Sequence, residues 1–205
     1  MTDQADRPEE ILRLIESQQA LAIRRFTPDP LLAFSSWGVA WLVGFGAFFL
    51  RHGLDGQAIV PIPLPVAIAV LMSSLMIAGG CMAYALHRSG GQIRGRSAQL
   101  GIVYGLSWAV GMICANMIAA RFVSAIQDEA LISLLFAATA MLVTGLLYIA
   151  GGALFDSWAF TGLGVWVSAV NLVGAMIGPG WHALLVAVLC GGGAIALGLW
   201  LRARR

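Results

Sequence analysis

Apolar positions in this chain do not recur with the short periods of a soluble helix or strand. They run together in blocks of about 20 residues, the length of a membrane crossing. The blocks cover roughly 31–50, 65–86, 99–120, 130–155, 159–178 and 182–201, and none contains Asp, Glu, Lys or Arg. A helix needs about 20 apolar residues to cross a hydrocarbon core about 30 Å thick. The pattern therefore predicts an all-α integral membrane protein with six transmembrane helices. Short polar or Gly/Pro-rich breaks separate the blocks. "GPGW" at 178–181 is read as a tight turn that sets the fifth helix antiparallel to the sixth. Consecutive helices are expected to form three hairpins, 1–2, 3–4 and 5–6.

Ahead of the first block the pattern changes. "PEEILRLIESQQALAIRRF" at 8–26 places Ile11, Ile15, Ala22 and Phe26 near one stripe, with Glu10, Arg13, Glu16 and Arg24 elsewhere. Asp6 and Glu9 have the spacing of a capping box, and the prolines of "TPDP" end the segment. This is the pattern of an amphipathic helix lying on a membrane surface, or docking a partner. Residues 1–28 are thus read as an interfacial, cytoplasmic segment and residues 29–205 as the six-helix domain.

Composition agrees with the pattern: 60% of the 205 residues are hydrophobic and 11% charged, where a soluble domain carries about 25% charged residues. Mean hydropathy is +0.86. The polar, acidic start "MTDQADRPEE" lacks the basic and then apolar pattern of a secretory signal. The net charge of +2 offers nothing for nucleic acid to bind. Charge placement adds orientation. Ten of the twelve basic residues, all Arg, fall in the N-terminal segment, the second loop or the C-terminus, whereas Arg51 and Arg121 fall in odd-numbered loops. The positive-inside rule then places both termini in the cytoplasm of a plasma-membrane, multi-pass protein.

Two stretches repeat. "GVAWLVG" at 38–44 and "GLSWAVG" at 105–111 share Gly, Trp and Val-Gly at the same spacing, and "SAVNLVG" at 168–174 is a weaker copy. The copies fall in the first, third and fifth helices, which run in one direction. Gly38, Gly44, Gly105, Gly111 and Gly174 are expected to let helices pack closely, because lipid supplies no hydrophobic force between them. "IAGG" recurs at 77–80 and 149–152 in even-numbered helices. Parallel repeats of this kind are a transporter construction with a solute path at the repeat interface.

Polar groups inside the blocks are few. Singly, Ser and Thr return their hydroxyls to their own helix. An unpaired carboxamide in hydrocarbon costs several kcal/mol, so Asn116 and Asn171 each need a partner: another helix, or a solute path. Trp41 and Trp108 sit at mid-depth rather than in the interfacial belt, either as core packing or as the wall of an apolar constriction. Trp41, Tyr104, Ser107, Trp108, Asn116 and Asn171 are the expected pore-lining residues. His52, His87 and His182 fall at block ends or in loops, and Cys81, Cys114 and Cys190 lie inside apolar runs without metal spacing. No nucleophile with a base, no metal set and no intramembrane carboxylate is legible, so neither an enzyme nor a cofactor is expected.

The residues also carry a resemblance. "TPDPL" at 27–31 resembles the Asn-Pro-Ala-Pro-Leu signature of the acetate uptake transporter family. "YGLSW" at 104–108 matches its Tyr-Gly-x-x-Trp, and "GQIRGRSA" at 91–98 is similar to its Gly-Asn-Thr-Phe-Gly-x-Thr-Ala. Thr27, Gln92, Ile93 and His87 depart from that pattern. The resemblance implies a homo-oligomer, such as a hexamer, with a solute path through each protomer. Urea and amide channels share the general build. Arg-only basic usage and Ala/Gly richness resemble small actinobacterial membrane proteins. The expected function is a channel or transporter for a small neutral or monocarboxylate solute. The alternative is a non-transporting membrane subunit or sensor that engages a cytoplasmic protein through its N-terminal helix.

Overall fold

The computed structural model describes residues 11–14, 29–90 and 95–204. Among them there is no strand. Six helices are long and apolar enough to cross a membrane: α1 Leu31–His52, α2 Leu64–Arg88, α3 Ser97–Ala125, α4 Glu129–Leu154, α5 Trp158–Ile177 and α6 Pro179–Ala203. The chain is a multi-pass, all-helical membrane protein. Residues 11–14 are helical and exposed. The rest of the expected amphipathic helix lies outside the described residues, as do residues 91–94 of the second loop.

Local chemistry sets the helix ends. The Asp128 carboxylate accepts from the Ala130 N–H at 2.8 Å and starts α4, and the Ser157 hydroxyl caps α5. The turn between α5 and α6 is tighter than the four residues expected. Gly178 alone makes it, at φ +142°, and Pro179 enters the first helical position, where its missing N–H costs nothing. His182 therefore lies in the first turn of α6, not in a loop.

α1, α4, α5 and α6 form the core, α2 packs on the outside of α1, and α3 packs on the outside of α4. α2 and α3 are consecutive in sequence yet make no substantial contact with each other. Each expected hairpin pair is in contact, but the two most extensive interfaces, α1 with α6 and α4 with α5, join different hairpins.

Two antiparallel glycine seams hold the core. Along α1 and α6, a Cβ on Gly38 would come within 2.5 Å of Gly191 O, and a Cβ on Gly191 within 2.8 Å of Gly38 O. The Ser35 hydroxyl donates to Ile195 O at 3.4 Å in the same seam. Along α4 and α5, a Cβ on Gly164 would lie 2.6 Å from Ile149 N and 2.7 Å from Gly145 O, and Gly152 abuts Thr161. Only glycine permits such backbone approach, and in lipid this packing is the main attraction between helices. Both helices of the first seam contain a π turn, Leu31–Ser35 in α1 and Val186–Gly191 in α6.

Ion pairs mark the two ends. Arg202 meets Asp29 at 3.2 Å, which places the start of α1 and the end of α6 together at the terminal end of the bundle. Arg51 pairs with Glu129 at the opposite end, tying α1 to α4.

Candidate functional site: an aromatic plug and a buried polar pair

The interior has two layers. From the terminal end to mid-span it is filled with rings. Phe34 meets Phe160 edge-on at 5.1 Å, Phe160 meets Tyr148 at 5.3 Å, and Tyr148 meets Trp108 at 5.6 Å and Trp41 at 6.3 Å. Tyr104 closes the cluster against Phe155 and Trp108 and donates its hydroxyl to Leu147 O at 2.9 Å. Each edge-to-face pair adds about 0.5–1.5 kcal/mol beyond the area it buries. Trp41, midway along α1, is 4% exposed. The rings come from α1, α3, α4 and α5 and from the turn before α5, so the plug joins the two sides of the core.

Toward the opposite end the filling changes chemistry. His182 Nε2 lies 2.8 Å from Asn171 Oδ1, and Asn171 Nδ2 donates to Ala138 O at 3.0 Å. The chain crosses α6, α5 and α4. His182 is 1% exposed and Asn171 6%. Gly174 makes the room: a Cβ there would lie 2.8 Å from the His182 Cα. Phe45 of α1 covers the imidazole edge-on at 6.2 Å. Such a pair is structurally costly unless satisfied, and here Asn171 is bonded through both its oxygen and its nitrogen.

Beyond the pair, at the Arg51 end, an open depression of about 360 Å³ is lined by Arg51, His52, Gly56, Ala58, Pro61, Ile62 and Pro63. The Arg51 guanidinium donates to Ile62 O as well as to Glu129. Arg51 Nε and His52 Nε2 are buried with no hydrogen-bond partner among the described residues.

Of the six side chains expected to line a path, Trp41, Tyr104 and Trp108 are brought together, in the plug. Asn171 lies in the polar layer. Ser107 returns its hydroxyl to Val103 O at 2.9 Å. Asn116 is elsewhere: it is exposed on the outer side of α3, where Nδ2 donates to Met112 O at 2.8 Å. The two asparagines share no lumen, because α3 turns its Tyr104, Trp108 and Gly111 face to α4 and Asn116 points away from it. Of the expected packing glycines, Gly38 meets Gly191, Gly44 meets Leu71, Gly111 meets Val143 and Gly174 meets His182. Gly105 differs: a Cβ there would meet nothing within 4 Å. The repeat thus occupies unlike surroundings in α1 and α3.

His182 is the residue that sequence reasoning missed. The "GPGW" pattern puts the block boundary at residue 182, where a histidine reads as a loop-edge residue. The signal was present in Asn171, which required a partner, and in Gly174 one turn further along the face toward α6. No protein-family model, no curated protein and no solved structure matches this chain.

Proposed function

We propose that this protein is a gated carrier for a small neutral or monocarboxylate solute in the plasma membrane, with both termini in the cytoplasm, and not a standing pore. The observation that carries the reading is the stacking of the two layers: a satisfied but buried hydrogen-bonding pair, His182–Asn171, lies directly beyond an aromatic plug. A solute with one carbonyl or carboxyl group would exchange its own hydrogen bonds for those of the pair. The plug would seal the cytoplasmic side meanwhile. The α1–α6 seam is the element suited to open. Its helices meet backbone to backbone at Gly38 and Gly191, and both carry π turns, which recur at functional sites. A weak acid would cross as its neutral form, in keeping with spans free of internal charge. The similarity of "TPDPL" and "YGLSW" to the acetate uptake transporter family supports the same solute class.

The test is flux into proteoliposomes of a panel containing acetate, lactate, urea and formamide. Uptake of at least one of them well above empty vesicles, reduced in Asn171→Leu, is expected. Uptake equal to empty vesicles for the whole panel would overturn the reading.

A second reading has its own observation. One apolar cluster runs from Phe34 past Trp41 and Tyr148 to Phe45 and Val186, as suits a membrane subunit that moves nothing and engages a cytoplasmic protein through residues 8–26. It predicts no flux together with a pull-down partner that is lost when residues 1–25 are deleted.

A further inference from the structure

Within the protomer α3 packs substantially on α4 alone. A different face of α3 carries Gly101, Gly105, Ala109 and Asn116, all exposed and within about 80° of arc. A Cβ on Gly101 or Gly105 would meet nothing within 4 Å. The face is smooth enough for another helix backbone to approach closely.

Asn116 makes this more than a row of small residues. It lies nine residues from the end of a 29-residue helix, about 13 Å in from that end of a span about 43 Å long, and therefore inside the hydrocarbon. Its Nδ2 reaches Met112 O in the same helix, but Oδ1 has no protein partner among the described residues. Lipid offers it none. The occupant of this face must present a hydrogen-bonding group at the depth of residue 116. A second copy of this chain, related by rotation about the membrane normal, does so automatically, since its own carboxamide lies at that depth. A carboxamide is also self-complementary, offering one donor and one acceptor to its twin.

We propose that this face is a self-association surface: two copies pack α3 against α3 about a two-fold axis along the membrane normal. Gly101, Gly105 and Ala109 form the close approach, and the two Asn116 carboxamides bond across it. This is independent of what, if anything, the protomer transports.

The native Cys114 supplies the control, since it is exposed on the opposite side of α3. Full-length protein in native membranes is oxidised in two forms. One keeps Cys114 alone, with Cys81→Ser and Cys190→Ala; the other also carries Cys114→Ser and Ala109→Cys. A disulfide dimer from position 109 and none from 114 is expected. Dimers from both, from 114 only or from neither overturn the proposal, as does a 109 adduct with a different protein. As an independent readout, wild type and Asn116→Leu/Gly105→Leu are compared by native mass spectrometry from lipid nanodiscs. Both substitutions point into open space, so the monomer fold, followed by thermal melting, is expected to survive. The expected result is a dimeric wild type and a loss of about tenfold or more in association for the variant. An equally dimeric variant, or a monomeric wild type, contradicts it.

Discussion

Asn171 and Asn116 show what one residue type does in two settings. Both are amides inside a membrane-spanning helix, and hydropathy treats them alike. Asn171 is held between Ala138 O and His182, whereas Asn116 returns its amide to its own helix and faces outward. Removing one member of the buried pair leaves the other unsatisfied, at about 1–3 kcal/mol, while replacing both by apolar groups of similar shape is close to neutral. Asn171→Leu is therefore expected to lower unfolding stability in detergent or bicelles by about that amount. Adding His182→Phe is expected to recover most of the loss. A double variant as unstable as the sum of the two singles would show that the pair is not coupled. The sequence announced that each asparagine needed a partner. It did not announce which one, because that depends on which face of each helix turns inward, and near-uniform apolarity leaves that unmarked. His182 is hidden for a related reason: only Gly178 separates its helix from α5.

At the scale of helices, glycine is the informative residue, and its meaning depends on what it faces. Gly164 sits within backbone distance of Ile149 and Gly145, and Gly79 meets nothing within 4 Å. Gly164→Ala is expected to lower the thermal midpoint, because neither neighbour is a flexible side-chain end that can move aside. Gly79→Ala is expected to hold it or raise it, since Ala is favoured over Gly in a helix interior by about 0.5–1 kcal/mol. Melting of both variants in one detergent checks the contrast, and equal midpoints would refute the seam. Helix existence and approximate length were legible from the apolar blocks. The repeat of Gly, Trp and Val-Gly was legible as well, but not its consequences: at Gly38 it builds the α1–α6 seam, and at Gly105 it lies on an open face.

For the whole molecule, six spans and a shared end for both described chain ends follow from block count alone. The arrangement of the spans does not. The core of α1, α4, α5 and α6, with α2 and α3 outboard, depends on which small residues find each other. Pairing consecutive helices into three equal hairpins does not anticipate that the broadest contacts join α1 to α6 and α4 to α5. The plug is partly legible, since Trp41, Tyr104 and Trp108 stand at inner positions. Tyr148, Phe34 and Phe160 join them only through the fold.

Transport by the proposed route requires the α1–α6 seam to move. A Cβ at position 198 would lie 3.2 Å from Ser35 N and against its hydroxyl. Ser35→Cys with Gly198→Cys, in a chain freed of Cys81, Cys114 and Cys190, therefore places two thiols to lock it. Solute flux into proteoliposomes is measured for the oxidised and then the reduced protein. Flux at the level of empty vesicles is expected when oxidised, with a return to the unlocked rate on reduction. Equal flux in the two states would contradict it.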